Sequence, residues 1–364
     1  MNLSLLAHLA SPVHHRQLVL RNEKYLEEVN GNLRYPVVDG VPVLLPDKRL
    51  ADWCNEFLEV LFWDRSSDIL ASLAKAGPDG WLPGIINIID ADYGAEGVRR
   101  AIAGYAEMPE PERIKSTLHM DASQLSPDAP AVSRQALEDC RKYSTLASGQ
   151  SRVQQVREMV SKWAVHLDDY SAAVSEAGHG VIAELGTGAG LGTFAVMERG
   201  LGSGHLISLD VDYACVGNAV GLAKVLGIEE QVDPVVADFW FLPFRDGSID
   251  VVCSHYGVDE SRETDRVLRE VARVLKTGGE FVSVSRIDPT NRLRKYIGHL
   301  GFSDDELREL ADQAHLYPGP ERFIEIAAQY GLALRRESVF TPETSHGRSV
   351  FSFVKTQAGI RNTA

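Results

Sequence analysis

The sequence predicts an α/β fold in which helices cover a mostly parallel sheet, and three stretches carry this prediction. The first is the apolar run 181–185, which leads into a turn with glycine at every second position. The second is the run 205–210, which ends in Asp210, and the third is the run 235–238, which ends in Asp238. Short apolar runs that each end in a turn signal are typical of buried strands. Their order along the chain predicts neighbouring strands whose polar ends meet at one edge.

The glycine-rich turn at 186–192 is the candidate ligand loop. Glycine lets a ligand approach the backbone, and the free N–H groups of the following helix then face that ligand. A phosphate-cradling P-loop would need lysine and then serine or threonine after the last glycine, and that lysine is not present. The dinucleotide fingerprint, started at Gly186, would need a glycine where Leu191 stands. By itself the motif also allows a tight turn that binds no ligand.

The pattern Glu184-x-Gly186-x-Gly188-x-Gly190 resembles motif I of class I methyltransferases that use S-adenosylmethionine (SAM). Later landmarks of that family are matched in order and at similar spacing by 205–210, 235–239, 246–252 and 269–279. The resemblance covers about residues 150–290. It implies a Rossmann-like class I core with a seven-stranded mixed sheet, and SAM as cofactor.

The resemblance also implies which residues hold SAM. Glu184 would lie near the methionine amino group, and Asp210 would accept hydrogen bonds from both ribose hydroxyls. Asp238 would accept from the adenine amine, with Phe239 beside the ring. The full implied set is Glu184, Gly186, Thr187, Gly188, Gly190, Asp210, Val211, Ala237, Asp238 and Phe239.

The end of the predicted fourth strand supplies the candidate catalytic residues, His255 and Tyr256. In the family's architecture this segment faces the methyl group. His255 could act as a general base, since the ordinary histidine pKa of about 6.5 suits that task, or it could only position substrate or stabilise the loop. Tyr256 could hydrogen-bond substrate and shape the pocket, or serve as a packing aromatic. No metal ligand is predicted.

Residues 1–47 are rich in strand and turn signals, including Asp39-Gly40 between two apolar runs. This segment resembles the small Trm112-like domain, a zinc-ribbon-like module. Aligning it on the family pattern places four residues at the zinc-ligand positions: Ser11, His14, Glu28 and Gly31. Serine and glycine serve poorly as zinc ligands, so we expect a metal-free relic whose role is packing, substrate enclosure or dimer contact.

Residues 48–178 carry mostly helical periodicity and are predicted to be a helical insertion, or lid, over the substrate side. The polar run 143–152 would either contribute groups to the SAM pocket or cap a helix.

Residues 179–357 are predicted to form the methyltransferase domain, which closes with two strands at 332–339 and 349–354. The last residues, 358–364, are predicted to be a frayed tail.

Composition limits the partners and the compartment. The 364 residues carry a formal charge of −14, which disfavours nucleic acid or an anionic membrane as the principal partner. Four widely spaced cysteines indicate a reducing, cytoplasmic location, and no apolar run reaches the roughly 18 residues that a membrane span needs. We therefore expect a cytoplasmic SAM-dependent methyltransferase of a small or medium-sized molecule, with the acceptor atom undecided and a homodimer left open.

Two alternatives remain from the sequence alone. An RNA methyltransferase is allowed by the basic clusters 292–295 and 335–336. A SAM-binding partner protein without transferase activity is allowed as well, because binding a cofactor does not establish turnover.

Overall fold

A computed structural model describes the N-terminal strands, the sheet and the helices that cover it. The described residues are 4–45, 94–107, 157–158, 160–161, 164–178, 180–188, 190–211, 213–261, 263–290, 293–294, 297–340 and 347–357. The predicted ligand run 143–152 and the predicted tail 358–364 lie outside them.

A single eleven-stranded sheet forms the framework, in the order β1-β2-β3-β4-β7-β6-β5-β8-β9-β11-β10. Its strands are β1 (Leu18–Arg21), β2 (Tyr25–Glu28), β3 (Arg34–Val38), β4 (Val41–Leu44), β5 (Val181–Leu185), β6 (His205–Asp210), β7 (Val232–Ala237), β8 (Ile249–His255), β9 (Leu275–Arg286), β10 (Leu332–Phe340) and β11 (Arg348–Lys355). Strands β7, β6, β5, β8 and β9 are parallel, whereas β11 runs antiparallel to β9 and β10. The α/β class and the mixed sheet are therefore confirmed.

The predicted strand count of seven is wrong for the complete sheet. Seven strands, β5 to β11, make up the expected core, but the N-terminal strands extend the same sheet to eleven. The junction lies where Val43 and Leu44 of β4 pair in parallel with Val236 and Ala237 of β7. An edge strand presents unpaired backbone groups, and β4 covers the carboxyl end of β7 at Val236 and Ala237. The N-terminal segment thus continues the core sheet at its β7 edge.

Helices cover both faces of this sheet. They are α1 (Gly94–Glu107), α2 (Ala164–Ala177), α3 (Leu191–Arg199), α4 (Tyr213–Leu226), α5 (Gly257–Glu260), α6 (Thr264–Val274), α7 (Asp304–Gln313) and α8 (Pro320–Gln329). Successive strand residues point to opposite faces, so Ile182 packs with α2, α3 and α4, while its neighbour Ala183 packs with α6 and α8. No described helix combines the length and apolarity that a membrane crossing requires.

Helix α2 lies within the range predicted to be a lid but packs into the core. Its buried residues Leu167, Tyr170 and Val174 contact the same cluster as Phe194 of α3 and Val251 of β8. We therefore place α2 with the sheet. The remaining boundaries of the three predicted segments stay predictions.

The N-terminal segment brings the four aligned ligand positions together without a metal cluster. The buried Glu28 carboxylate accepts from His14 Nδ1 at 3.0 Å and from the Arg16 guanidinium at 3.4 Å. Ser11 Oγ accepts from the Arg16 backbone N–H at 3.0 Å. A Cβ on Gly31 would lie 2.0 Å from Glu28 Oε2, so the carboxylate fills the space beside that glycine. No group of three or more potential metal-binding side chains occurs among the described residues.

The turn predicted at Asp39-Gly40 is confirmed. These two residues join β3 to β4 with φ angles of 50° and 83°. Positive φ at both central residues is the conformation that a two-residue hairpin favours, and Asp-Gly is a preferred pair for it.

Candidate active site

The glycine turn between β5 and α3 contains glycines with different surroundings. Gly186 and Gly190 both have φ near 86°, and an added Cβ would lie 2.8 Å from Gly257 Cα and 2.7 Å from Leu222 Cδ1, respectively. Gly188 has φ of 50°, and an added Cβ would meet no atom within 4 Å among the described residues other than its chain neighbours. The outer two glycines therefore allow close packing, whereas Gly188 faces open space at the carboxyl edge of the sheet.

Both polar groups of the Gly188 backbone are held in place. Its N–H donates to Asp210 Oδ2 at 2.8 Å, and its carbonyl accepts from Asn218 Nδ2 of α4 at 2.7 Å. Asp210 ends β6, and the next residue, Val211, packs against a small apolar cluster that includes Val236. The Asp210 carboxylate and Gly188 thus lie side by side, where the carboxyl ends of β5 and β6 meet.

A hydroxyl network lies beneath this turn. Glu184 is only 1% exposed, and its carboxylate accepts from Thr193 Oγ1 at 2.7 Å and from Ser208 Oγ at 2.8 Å. The Thr187 and Ser208 hydroxyl oxygens lie 2.6 Å apart. Glu184 and Thr187 therefore support the turn from below, and the Glu184 role near the methionine amino group remains a prediction.

Burial raises the pKa of Glu184 to about 7 from an ordinary value of 4.5, against the opposing effect of the Thr193 and Ser208 hydrogen bonds. The folded chain therefore keeps a proton that the unfolded chain loses between these two pH values, and folding stability falls as the pH rises through this range. We expect Glu184→Gln to remove this loss. As the pH rises from 4.5 to 8, the unfolding free energy of the wild type should fall by about 3 kcal/mol more than that of the variant.

Denaturant unfolding at pH 4.5, 6 and 8 measures this difference. Glu309→Gln is the matched control, because that carboxylate lies on the exposed surface of α7. A wild-type-minus-variant difference that stays constant across the three pH values would contradict the prediction.

The residues predicted to face adenine follow β7. Asp238 is buried, and its Oδ1 accepts from the Trp240 backbone N–H at 2.9 Å, which starts a short 3-10 turn. Phe239 lies in this turn with its ring beside the glycine turn. Ala237 is buried and pairs with Leu44, so the N-terminal strand β4 supports this side of the site.

The end of β8 holds the two predicted catalytic residues. His255 is buried, and its Nε2 lies 3.2 Å from Nε2 of His166 on α2. The Tyr256 hydroxyl accepts from Arg348 Nε and lies 3.4 Å from the same His166 nitrogen. Because Arg348 can only donate, the Tyr256 proton can point to His166. In that arrangement His166 Nε2 is the acceptor, and His255 Nε2 carries the hydrogen between the two rings.

These surroundings set the charge of both predicted residues. Burial lowers the pKa of His255 well below its ordinary value, and His166, Arg348 and Arg286 lower it further. Burial also raises the pKa of Tyr256 to about 12, although Arg348 opposes this. Neutral His255 and protonated Tyr256 are therefore the forms present near neutral pH. Tyr256 can therefore act as a hydrogen-bond donor. The His166 ring lies beside His255 and would border the path of any proton that reaches His255.

Several site residues are not identified by the sequence reasoning. Thr193 and Ser208 each place one hydroxyl in an apolar segment, and in the fold both hydroxyls lie next to a buried acid. A lone hydroxyl residue in an apolar segment is the sequence signal that could have identified them. His166 lies in a segment predicted to be a lid, and its contact with β8 has no local sequence signal. The complete set is His166, Thr193, Ser208, Asn218, Arg286 and Arg348.

Comparison with known proteins identifies the central segment. Residues 183–283 match the family model described as a methyltransferase domain. A ubiquinone/menaquinone biosynthesis C-methyltransferase of Hahella chejuensis is 29% identical over 147 residues, covering 36% of this chain and 58% of that protein. A demethylmenaquinone methyltransferase of Lactococcus lactis is 33% identical over 126 residues, covering 34% of this chain and 48% of that protein. The chain thus spans about half the length of the curated relatives it matches.

A solved SAM-dependent methyltransferase from Aquifex aeolicus is 16% identical, with a TM-score of 0.41 and coverage of 56% of this chain and 98% of that one. The matched segment 183–283 contains the glycine turn and the polar ends of β6, β7 and β8. The parallel strands of this matched segment bring these groups to one edge of the sheet. By this match, residues 183–283 of the chain contain a methyltransferase domain.

Proposed function

We propose that this chain is a methyltransferase that transfers a methyl group from SAM to a small or medium-sized molecule. The observation that carries the proposal is Gly188, whose open face and Asp210-bound N–H lie within the segment that matches the methyltransferase family. A cofactor with a ribose diol fits this point, because a fixed carboxylate has two acceptor oxygens and the glycine leaves room beside it.

The proposed holding residues follow the strand ends. Asp210 would bind the ribose hydroxyls, Asp238 and Phe239 would bind adenine, and the Gly188 backbone would allow close approach. Glu184 would complete the set near the methionine amino group. When bound, SAM supplies a methyl group on a positively charged sulfur, which an acceptor can attack without a covalent enzyme intermediate.

The chain's own residues then have to orient the acceptor and manage its proton. Tyr256 can donate a hydrogen bond and is half-buried at the site edge. The His166–His255 pair lies directly behind it, with both imidazoles buried. We propose that Tyr256 positions the acceptor and that the neutral His166–His255 pair holds the Tyr256 hydroxyl in place. The lowered pKa of His255 makes it a weak base, so we assign the pair a positioning role.

The acceptor can be tested first with the chemistry that the relatives' names give. Purified protein is incubated with SAM and a reduced naphthoquinone, and in parallel with small-molecule fractions of a cell extract, and S-adenosylhomocysteine (SAH) formation is measured. Acceptor-dependent SAH formation supports the transferase. A protein that binds SAM but forms no SAH with any fraction would instead be the non-catalytic partner.

Nucleic acid is the less favoured substrate. Of the basic positions that allowed it, Arg335 pairs with Glu280, and Arg336 pairs with Asp169. Ion pairs of this kind leave less positive charge for phosphates, and the chain carries a formal charge of −14. Of the other basic cluster, 292–295, the structure describes residues 293 and 294. We expect no RNA retention at low salt.

Three finer points are proposals as well. The cytoplasmic location is consistent with the buried Cys253, which is a free thiol. A homodimer stays open. We also retain the division into a Trm112-like segment at 1–47, a lid within 48–178 and a methyltransferase domain to residue 357.

A further inference from the structure

The loop 238–242 carries the two residues proposed to bind adenine, and the N-terminal segment contacts the chain on both sides of it. The loop begins directly after β7. Strand β4 pairs with the last two residues of β7, which immediately precede Asp238. Just beyond the loop, the Ala10 N–H donates to the Pro243 carbonyl at 2.9 Å. The backbone is therefore held by the N-terminal segment before and after the loop.

Arg245 strengthens the second of these two attachments. Its backbone N–H donates to the His8 carbonyl at 3.0 Å. Its guanidinium donates from Nε to the Leu9 carbonyl at 3.3 Å and from Nη2 to the Leu6 carbonyl at 3.4 Å. Through this one residue, the chain that follows the loop is joined to three backbone carbonyls of the N-terminal segment.

Apolar packing joins the same two parts of the chain. The side chains of Trp240, Leu242 and Phe244 are at most 1% exposed. They belong to one core cluster with the N-terminal residues Leu5, Leu9, Leu26 and Leu44. Because protein interiors are close-packed, the loop cannot shift without disturbing this shared core.

Helix α6 holds the later part of the loop. Glu270 Oε2 accepts from the Leu242 N–H at 3.0 Å, and Arg266 Nε donates to the Trp240 carbonyl at 3.2 Å. These contacts act on residues 240 and 242, whereas the pairing of β4 with β7 acts on the chain directly before Asp238. The N-terminal segment and α6 thus hold different parts of the loop.

We propose that the N-terminal segment positions the 238–242 loop for the adenine of the cofactor, with Arg245 as a positioning residue. This inference rests on the proposed function and deepens it, since it gives residues 4–45 a role in the preference for adenine. Asp238 would recognise adenine by accepting from its exocyclic amine. Such a contact requires a geometry held within about 0.5 Å, and attachments on both sides of the loop provide this precision.

The test compares SAH with S-inosylhomocysteine, in which a carbonyl oxygen replaces the adenine amine. In calorimetric titration the wild type should prefer SAH at least about tenfold, because the Asp238 carboxylate can accept from the amine but not from the oxygen. Arg245→Met removes both guanidinium contacts and should reduce this preference by about threefold or more, since a displaced acceptor binds the amine less well. Arg322→Met on α8 is the matched control. Arg322 is exposed beside Glu325, and its variant should keep the full preference.

The ratio of the two affinities separates positioning from simple stabilisation. An unchanged ratio in a folded Arg245→Met variant, even with a lowered melting temperature, overturns the inference, and so does equal affinity of the wild type for both ligands. If Arg245→Met does not fold, Arg245→Lys provides the comparison, because the charge stays but the fork of donors is lost. An unchanged ratio in that variant has the same meaning. Failure of the wild type to bind SAH refutes the cofactor proposal instead.

Discussion

Asp210→Ala is expected to bind SAM at least about 100-fold more weakly than wild type. The substitution would remove a charged acceptor for the ribose hydroxyls, and hydrogen bonds to charged groups contribute about 1.5 to 3 kcal/mol each. It would also release the Gly188 N–H, which donates to Asp210 Oδ2 at 2.8 Å. Because the lost contacts lie at the carboxyl edge of β6, the fold should remain intact. Calorimetric titration with SAM measures the effect.

Asp305→Ala is the control for removal of a carboxylate. Asp305 lies in the first turn of α7, and its side chain is 93% exposed beside Arg308. Its SAM affinity should equal that of wild type. An Asp210→Ala variant that is folded and binds SAM within threefold of wild type would refute the proposed ribose contact.

Gly186→Ala and Gly188→Ala are expected to fail in different ways. At Gly186 the φ of 86° is unfavourable for alanine, and the new Cβ would lie 2.8 Å from Gly257 Cα, a backbone atom that cannot move away easily. We expect a stability loss of about 3 kcal/mol, from left-handed strain together with overpacking. At Gly188 the φ of 50° is one that alanine can adopt at a cost of about 1 kcal/mol, and the described part of the chain places no atom beyond its sequence neighbours within 4 Å of the added Cβ.

The Gly188 methyl group would instead project into the space beside Asp210. SAM affinity should therefore fall at least tenfold while the melting temperature changes little. Thermal unfolding and SAM titration of both variants separate the two effects, and each variant is the control for the other. Equal stability losses, or full SAM affinity in a folded Gly188→Ala variant, would contradict the assignment of Gly188 as the open glycine.

The positions of the core strands could be predicted because local sequence determines them. The predicted run 205–210 coincides with β6, and the predicted closing strands 332–339 and 349–354 lie within β10 and β11. The run 205–210 is short and mostly apolar, and Asp210 ends it, whereas Gly331 precedes the closing strand 332–339. The candidate cofactor residues follow from the same boundaries, since parallel strands bring their carboxyl ends to one edge.

Contacts between distant segments could not be predicted in this way. The pairing of β4 with β7 depends on backbone groups of residues almost 200 positions apart, and side-chain patterns do not specify it. His166 reaches His255 because α2 packs on the sheet. The opposition of Arg286 and Arg348 depends on the register between β9 and β11. The candidate cofactor residues are therefore encoded locally, whereas the surroundings of His255 and Tyr256 depend on tertiary packing.

Calorimetric titration of the wild-type protein with SAM, and separately with SAH, shows whether the glycine turn that begins at Gly186, together with Asp210, binds this cofactor. We predict one site per chain with a dissociation constant in the micromolar range, a common strength for small-molecule binding. This corresponds to a binding free energy of about −8 kcal/mol. A folded protein that binds neither SAM nor SAH would contradict the account and would leave the match at 183–283 as a relationship of fold without cofactor binding.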